Sequence, residues 1–141
     1  MTASTEIFFD TNVLAYIFSG DARKSARSEE LLASGGTISV QILNECALVM
    51  RRKFKATWPQ IEGMSETLRK TCTILPLTEA THVHGLAVAK RFKLHLYDAM
   101  IIASALSAGC KILYSEDMHN GQTIEGLTIK NPYDQKRLPP T

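Results

Sequence analysis

Cysteine is scarce in this chain, with only Cys46, Cys72 and Cys110 among 141 residues. They are odd in number, lie in apolar or helical surroundings and never fall at C-x-x-C spacing, which argues against a disulfide framework or a zinc ribbon and for reduced core thiols. A long hydrophobic run is also lacking. No stretch approaches the ~18 apolar residues of a membrane helix, and Met1 to Phe9 carries no basic region followed by an apolar run, so a cytoplasmic protein is expected. Charge of one sign is missing too: 16 Lys and Arg against 14 Asp and Glu leave a net +2, too little to identify a nucleic-acid binder by itself. Repeats, low-complexity tracts and linkers are absent, which leaves no sign of a second domain.

What is present suits one globular domain. A chain of 141 residues with 45% hydrophobic and 21% charged residues buries about two-thirds of its unfolded surface. A single domain over 1–141 is expected, with the polar, proline-containing segment 131–141 as a flexible tail. The basic residues are unevenly spread: Arg51, Arg52, Lys53 and Lys55 form one cluster and Lys90, Arg91 and Lys93 another. Such clusters read equally as solvated helix ends favoured by the helix dipole or as contacts to phosphates.

Hydrophobic periodicity supplies the element order. Ile7-Phe8-Phe9 is a buried strand closed by Asp10-Thr11-Asn12, after which Val13, Leu14, Ile17 and Phe18 recur at helical spacing. Ala22 to Ala33 reads as an amphipathic helix and Thr37 to Val40 as a short β-branched strand. A helix then runs from Gln41 to Phe54, with Glu45 in its first two turns. Further helices are expected over Gln60 to Thr71, with Pro59 at the start, and over Glu79 to Phe92, capped by Thr78. Between them Thr73 to Leu77 is an edge strand, where Pro76 is tolerated. Leu94 to Tyr97 reads as a connection, and Asp98 opens the apolar helix Ala99 to Ala108, stopped by Gly109. Lys111 to Ser115 is a strand, and Leu127 to Ile129 a short one. Alternating strands and helices predict parallel βαβ units, hence an α/β fold, a three-layer α/β/α sandwich around a mainly parallel sheet.

In such sheets the carboxyl ends of the strands form the binding crevice. Asp10 and Asp117 each follow an apolar strand, and Glu45 and Asp98 sit near helix starts on that side, where the dipole favours an anion. Taken singly, each has an ordinary reading as a turn or first-turn residue. Taken together, partly desolvated carboxylates near one another raise each other's pKa values unless a cation neutralises them. A hard ion with a preference for oxygen, Mg²⁺ or Mn²⁺, resolves that conflict.

Phe9-Asp10-Thr11-Asn12-Val13-Leu14, Asn44-Glu45, Tyr97-Asp98-Ala99-Met100-Ile101-Ile102-Ala103 and Ser115-Glu116-Asp117-Met118, in that order, resemble the acidic motifs of PIN domains, and most of all those of VapC-type toxins. The resemblance covers essentially the whole chain. It implies Asp10, Glu45 and Asp98 as metal-site carboxylates, Asp117 as a more variable fourth, and Asn12 and Ser115 as supporting hydrogen-bonding positions. It further implies a Mg²⁺- or Mn²⁺-dependent ribonuclease acting on single-stranded or looped RNA, inhibited by a cognate antitoxin, as a homodimer or a toxin–antitoxin hetero-oligomer. Ser115 stands where the family often has threonine, and Glu116 adds an acid beside Asp117; alternation along a strand turns Ser115 and Asp117 one way and Glu116 the other. Arg51, Arg52, Lys53, Lys90 and Arg91 are candidates for RNA phosphates, and the apolar faces of Ala22 to Ala33 and Gln41 to Phe54 for the antitoxin groove or a dimer contact. His82 and His84, two apart on a helix, point to different faces and are not expected to share a metal. His119 is a loop residue near the acids, and Trp58 and the phenylalanines are read as packing.

Two other readings compete. In a haloacid-dehalogenase-like phosphatase Asp10 would be the nucleophile, but that fold wants a second acid where this chain has Asn12. In a non-catalytic PIN-like scaffold, four mutually repelling carboxylates would have no purpose.

Overall fold

The computed structural model describes residues 6–134. Among them, strands β1 (Ile7–Phe9), β2 (Gly36–Ser39), β3 (Cys72–Leu75), β4 (Ile112–Tyr114), β5 (Thr123–Ile124) and β6 (Leu127–Lys130) form one sheet in the order β3-β2-β1-β4-β6-β5. Every pairing is parallel except β5 with β6. The helices are α1 (Thr11–Ala15), α2 (Ala22–Ala33), α3 (Val40–Arg52), α4 (Trp58–Thr71), α5 (Glu79–Phe92) and α6 (Leu96–Ser107), with a 3₁₀ turn at Tyr16–Phe18. The result is the expected three-layer α/β fold, and none of these helices is long and apolar enough to cross a membrane.

Strand β1 is central because its side chains are apolar on both faces: Phe8 and Phe9 are both fully buried, as a strand covered by helices on each side requires. From β1 the chain builds outward through β2 to β3 and then returns to place β4 on the other flank of β1. The β1–β4 boundary is therefore the topological switch point, and the crevice beyond its carboxyl ends is where a ligand site belongs. Asp10 and Ser115 to Asp117 leave the sheet there.

Local signals fix the helix starts. Asp10, Asp21, Ser39, Thr57 and Thr78 each cap a helix with a side-chain oxygen, satisfying backbone donors that would otherwise be orphaned. Thr57 and Gln60 complete a capping box, with Pro59 in the first turn of α4. At the other end of α6, Gly109 adopts φ +74°, a left-handed conformation glycine reaches without strain. The three cysteines are buried and unbridged, and burial pushes the Cys72 thiol up to about 11.

Most element ends shift by a residue or two from the sequence reading, among them β2 (Gly36–Ser39), α3 (Val40–Arg52) and β4 (Ile112–Tyr114), and four differences go further. Helix α6 begins at Leu96, with His95 as its cap residue, so Asp98 lies inside the first turn and the connection shrinks to Lys93–His95. Exposed Leu96 and Tyr97 hid that start, since they continue no apolar stripe. The first helix breaks at Ala15 into the 3₁₀ turn. Strand β3 ends at Leu75, because Pro76 has no N–H to extend the ladder. Strand β5 was not anticipated: two residues carry no periodicity, although Glu125 and Gly126, both at positive φ, form its hairpin turn. Of the expected tail, Asn131 and Tyr133 are tied down, by the Asn120 side chain and by Ser28 respectively; residues 135–141 lie outside the described part.

Candidate metal centre

Asp10, Glu45, Asp98 and Asp117 line one cleft of about 480 Å³, together with Asn12, Tyr16, Leu48, Val49, Lys53, Phe54 and Tyr97. The four carboxylates come from separate segments: the β1–α1 junction, the second turn of α3, the first turn of α6 and the loop after β4. The fold thus gathers acids up to 107 residues apart in sequence, as their placement at strand and helix ends anticipates. As the side chains stand, no group of three or more His, Cys, Asp or Glu residues among the described residues is set to hold a metal ion. The acids ring the cleft without being drawn into one shell.

Asp10 is the buried member, 6% exposed. Its carboxylate accepts from the Thr11 backbone N–H at 2.7 Å and from Ser115 Oγ at 2.7 Å. Burial nevertheless pushes its pKa up to about 6; the two hydrogen bonds oppose this, and the negative charges of Asp98 and Glu45 add to it. Asp98 is raised as well, chiefly by partial burial, with Asp117 and Glu45 reinforcing the shift and His95 opposing it. Glu45 is held through both oxygens, one accepting from Thr11 Oγ1 and the other from Gln41 Nε2 at 2.9 Å.

The donor set fits a hard divalent cation. It consists of carboxylate oxygens, and for Asp10 and Asp98 the charged form is disfavoured by burial and by the neighbouring acids, the condition that an oxygen-seeking ion relieves. Ser115, at the end of β4, positions Asp10. Asn12 lies in the same cleft, yet neither its Oδ1 nor its Nδ2 has a hydrogen-bond partner among the described residues, and both atoms are buried. Sequence reasoning offered no way to tell these two supporting positions apart.

The acid beside Asp117 points elsewhere. Glu116 accepts from Tyr16 OH and is paired with Lys24, and it is not among the cleft residues. Strand β4 ends at Tyr114, so Glu116 lies beyond the strand alternation expected to turn it away; it does turn away, held by Lys24 and Tyr16, partners that nothing in the sequence indicated. Of the candidate phosphate contacts, Lys53 lines the cleft. Arg51 is committed to the α3–α4 connection, donating to the Ala56 carbonyl at 3.0 Å and lying 4.7 Å from the Trp58 ring centroid; Arg52 is exposed at the end of α3. Lys90 and Arg91 occupy the last turn of α5, outside the cleft. Trp58 is 59% exposed, so it is not core packing as expected. His84 faces Glu125 at 3.2 Å, and His119 lies on a separate polar surface with Asn120 and Gln122.

The architecture is similar to that of several solved structures. A chain of a toxin–antitoxin complex from Klebsiella pneumoniae is 23% identical, with 90% of this chain and 98% of that chain covered and a TM-score of 0.70. VapC20 from Mycobacterium tuberculosis, described as a sarcin-ricin-loop-cleaving toxin, is 21% identical over 79% of this chain and 89% of that chain, with a TM-score of 0.65. FitAcB from Neisseria gonorrhoeae is 18% identical, with coverages of 91% and 99% and a TM-score of 0.63. At these identities the likeness establishes the fold. Among curated proteins no relative matches the chain. The PIN-domain model matches residues 7–119, a span that runs from β1 to just beyond Asp117 and takes in all four cleft carboxylates, and the chain therefore belongs to the PIN-domain family.

Proposed function

We propose that this protein is a metal-dependent endoribonuclease that hydrolyses single-stranded or looped RNA, using Mg²⁺ or Mn²⁺, and that it serves as the toxin of a type II toxin–antitoxin pair. The observation that carries this reading is the cleft itself, which is lined by four carboxylates from four segments, with Asp10 buried and its pKa raised. PIN domains are typically metal-dependent nucleases.

Asp10, Glu45, Asp98 and Asp117 would hold the ion or ions. When bound, a divalent metal polarises a phosphate oxygen and lowers the pKa of an attacking water, favouring products with a 3′-hydroxyl and a 5′-phosphate. The remaining chemistry belongs to the chain. Thr11 and Gln41 fix the direction of Glu45, and Ser115 and the Thr11 N–H fix that of Asp10. Lys53, at the cleft wall, attracts the phosphates flanking the cut. Leu48, Val49 and Phe54 form an apolar wall beside it, suited to unstacked bases such as single-stranded and looped RNA presents.

The phosphatase alternative is disfavoured by Asn12, an amide where that chemistry requires an acid. An antitoxin partner is supported by the likeness to a chain taken from a toxin–antitoxin complex. The exposed Leu48 of α3 lies where an inhibitory segment would bury apolar surface while an arginine or lysine from it neutralised the acids; α2 contributes less than its pattern promised, since Leu32 is buried in the core.

The test is cleavage of a pool of structured and single-stranded RNAs with Mg²⁺, with Mn²⁺ and with EDTA, beside an Asp98→Asn protein. Metal-dependent cuts leaving 5′-phosphates, absent in EDTA and in the variant, are expected. Equal activity of Asp98→Asn would overturn the assignment.

A further inference from the structure

The turn after β4 is pinned on both sides of Asp117. On one side, Ser115 Oγ donates to Asp10 and also accepts the backbone N–H of Met118 at 3.2 Å, closing the turn. On the other, Glu116 reaches away from the cleft to Tyr16 OH and Lys24 Nζ, residues 100 and 92 positions earlier in the chain. Lys24 is itself fixed. Its ammonium lies 3.2 Å from Tyr16 OH, and it stands 4.6 Å from the Tyr16 ring centroid and 5.4 Å from that of Tyr133. The two rings pack edge to face at 5.2 Å, and Tyr133 OH is hydrogen-bonded to Ser28 on α2. An exposed ion pair contributes little, but this one is only 29% and 23% exposed at its two side chains and is buttressed by two aromatic faces.

We propose that Glu116 is a positioning residue for Asp117: the Tyr16–Lys24 clamp on Glu116 holds the loop after β4 so that Asp117, and not its acidic neighbour, faces the cleft. Asp117 is the exposed member of the four acids and accepts no hydrogen bond found among the described residues that would orient it directly. Its orientation is set through the backbone by the residues on either side. Outer partners of this kind that orient a metal-binding side chain typically affect metal affinity about 10- to 100-fold. The inference rests on the reading of Asp117 as a metal carboxylate, and its test is chosen to separate the two.

The experiment is calorimetric titration of Mn²⁺ into the RNA-free protein, comparing wild type with Glu116→Ala, Asp117→Asn, the double variant and Lys24→Met. If Glu116 acts through Asp117, Glu116→Ala weakens Mn²⁺ binding about tenfold and the double variant is no weaker than Asp117→Asn alone. Lys24→Met reproduces the Glu116→Ala loss, and Lys24→Arg, which keeps the cation, restores most of it. Additive losses in the double variant would mean that Glu116 binds the ion itself or acts independently, and would overturn the proposal. So would unchanged binding in Glu116→Ala with Asp117→Asn impaired, which leaves the metal reading standing. If Asp117→Asn itself leaves Mn²⁺ binding unchanged, the metal role of Asp117 fails and the clamp proposal with it. Should Glu116→Ala fold poorly by circular dichroism, Glu116→Gln and Lys24→Met carry the same comparison, since each removes the ion pair while preserving side-chain volume.

Discussion

Ser115 Oγ donates to Asp10 Oδ2 across 105 residues of sequence, joining the ends of β1 and β4 through the most buried of the cleft acids. The bond favours the charged carboxylate, yet burial wins, and Asp10 is raised from 3.8 to about 6. The native state therefore holds a proton on Asp10 between roughly pH 4 and pH 6 that the unfolded chain releases, and stability falls as pH rises through that window. A shift of about two units corresponds to about 3 kcal/mol. In EDTA at pH 7.5, Asp10→Asn is expected to be more stable than wild type by about 2–3 kcal/mol, with the gain gone below pH 4. Urea denaturation at the two pH values checks this; a gain of the same size at both would rule out ionisation as the cause.

Asn12 makes the complementary case. Its amide atoms are buried without a hydrogen-bond partner among the described residues, and an unsatisfied buried polar group costs about 1–3 kcal/mol. Alanine is also the better helix former. Asn12→Ala is expected to leave stability unchanged or raise it by up to about 1 kcal/mol, while RNA cleavage falls. A destabilised variant with normal cleavage would show that Asn12 serves the fold and not the cleft.

Lys53 and Arg91 separate the two basic clusters. Lys53 lines the cleft and Arg91 does not. In an Asp98→Asn background, Lys53→Gln should weaken single-stranded RNA binding and reduce the dependence of log K on log salt by about 0.7, the loss of one phosphate contact. Arg91→Gln should change neither quantity. Fluorescence anisotropy at several salt concentrations reads both, and an equal effect from the two substitutions would place RNA outside the cleft.

The legible part of this site was the part written in local pattern. Asp10 and Asp117 follow apolar strands, and Glu45 and Asp98 fall in early helical turns, so a parallel sheet puts them on one rim without knowledge of any tertiary contact. Which cation belongs to which anion was not legible. Lys24 looks like any solvated residue of α2, and only the approach of the start of α2 to the loop after β4 brings it to Glu116. Lys53 and Arg51 look alike in sequence, and their different fates depend on where α3 ends and the α3–α4 connection turns back. The start of α6 was missed for a related reason: Leu96 and Tyr97 are exposed, so the apolar pattern began at Ala99, three residues after the helix does.

Gly36 ties the packing of the sheet to the position of Asp10. A Cβ at this residue would lie 2.5 Å from Phe9 Cε2 and 3.2 Å from the Ile7 carbonyl oxygen. Phe9 is fully buried and stacked on Tyr114 at 6.3 Å between centroids, so its ring has little space to yield. Overpacking of this kind costs about 1–3 kcal/mol, partly offset by the lower entropy of an unfolded chain carrying alanine. Gly36→Ala is thus expected to lose about 1–2 kcal/mol in stability. Because Phe9 directly precedes Asp10, displacement of the ring also disturbs the Asp10–Ser115 bond. The variant should lose more Mn²⁺ affinity than Ile38→Val, a core change of comparable cost, about 0.5–1.5 kcal/mol, made on the same strand. Calorimetry with Mn²⁺ beside urea denaturation checks the pair, and equal metal affinity in the two variants would show that β1 absorbs the strain before it reaches the cleft.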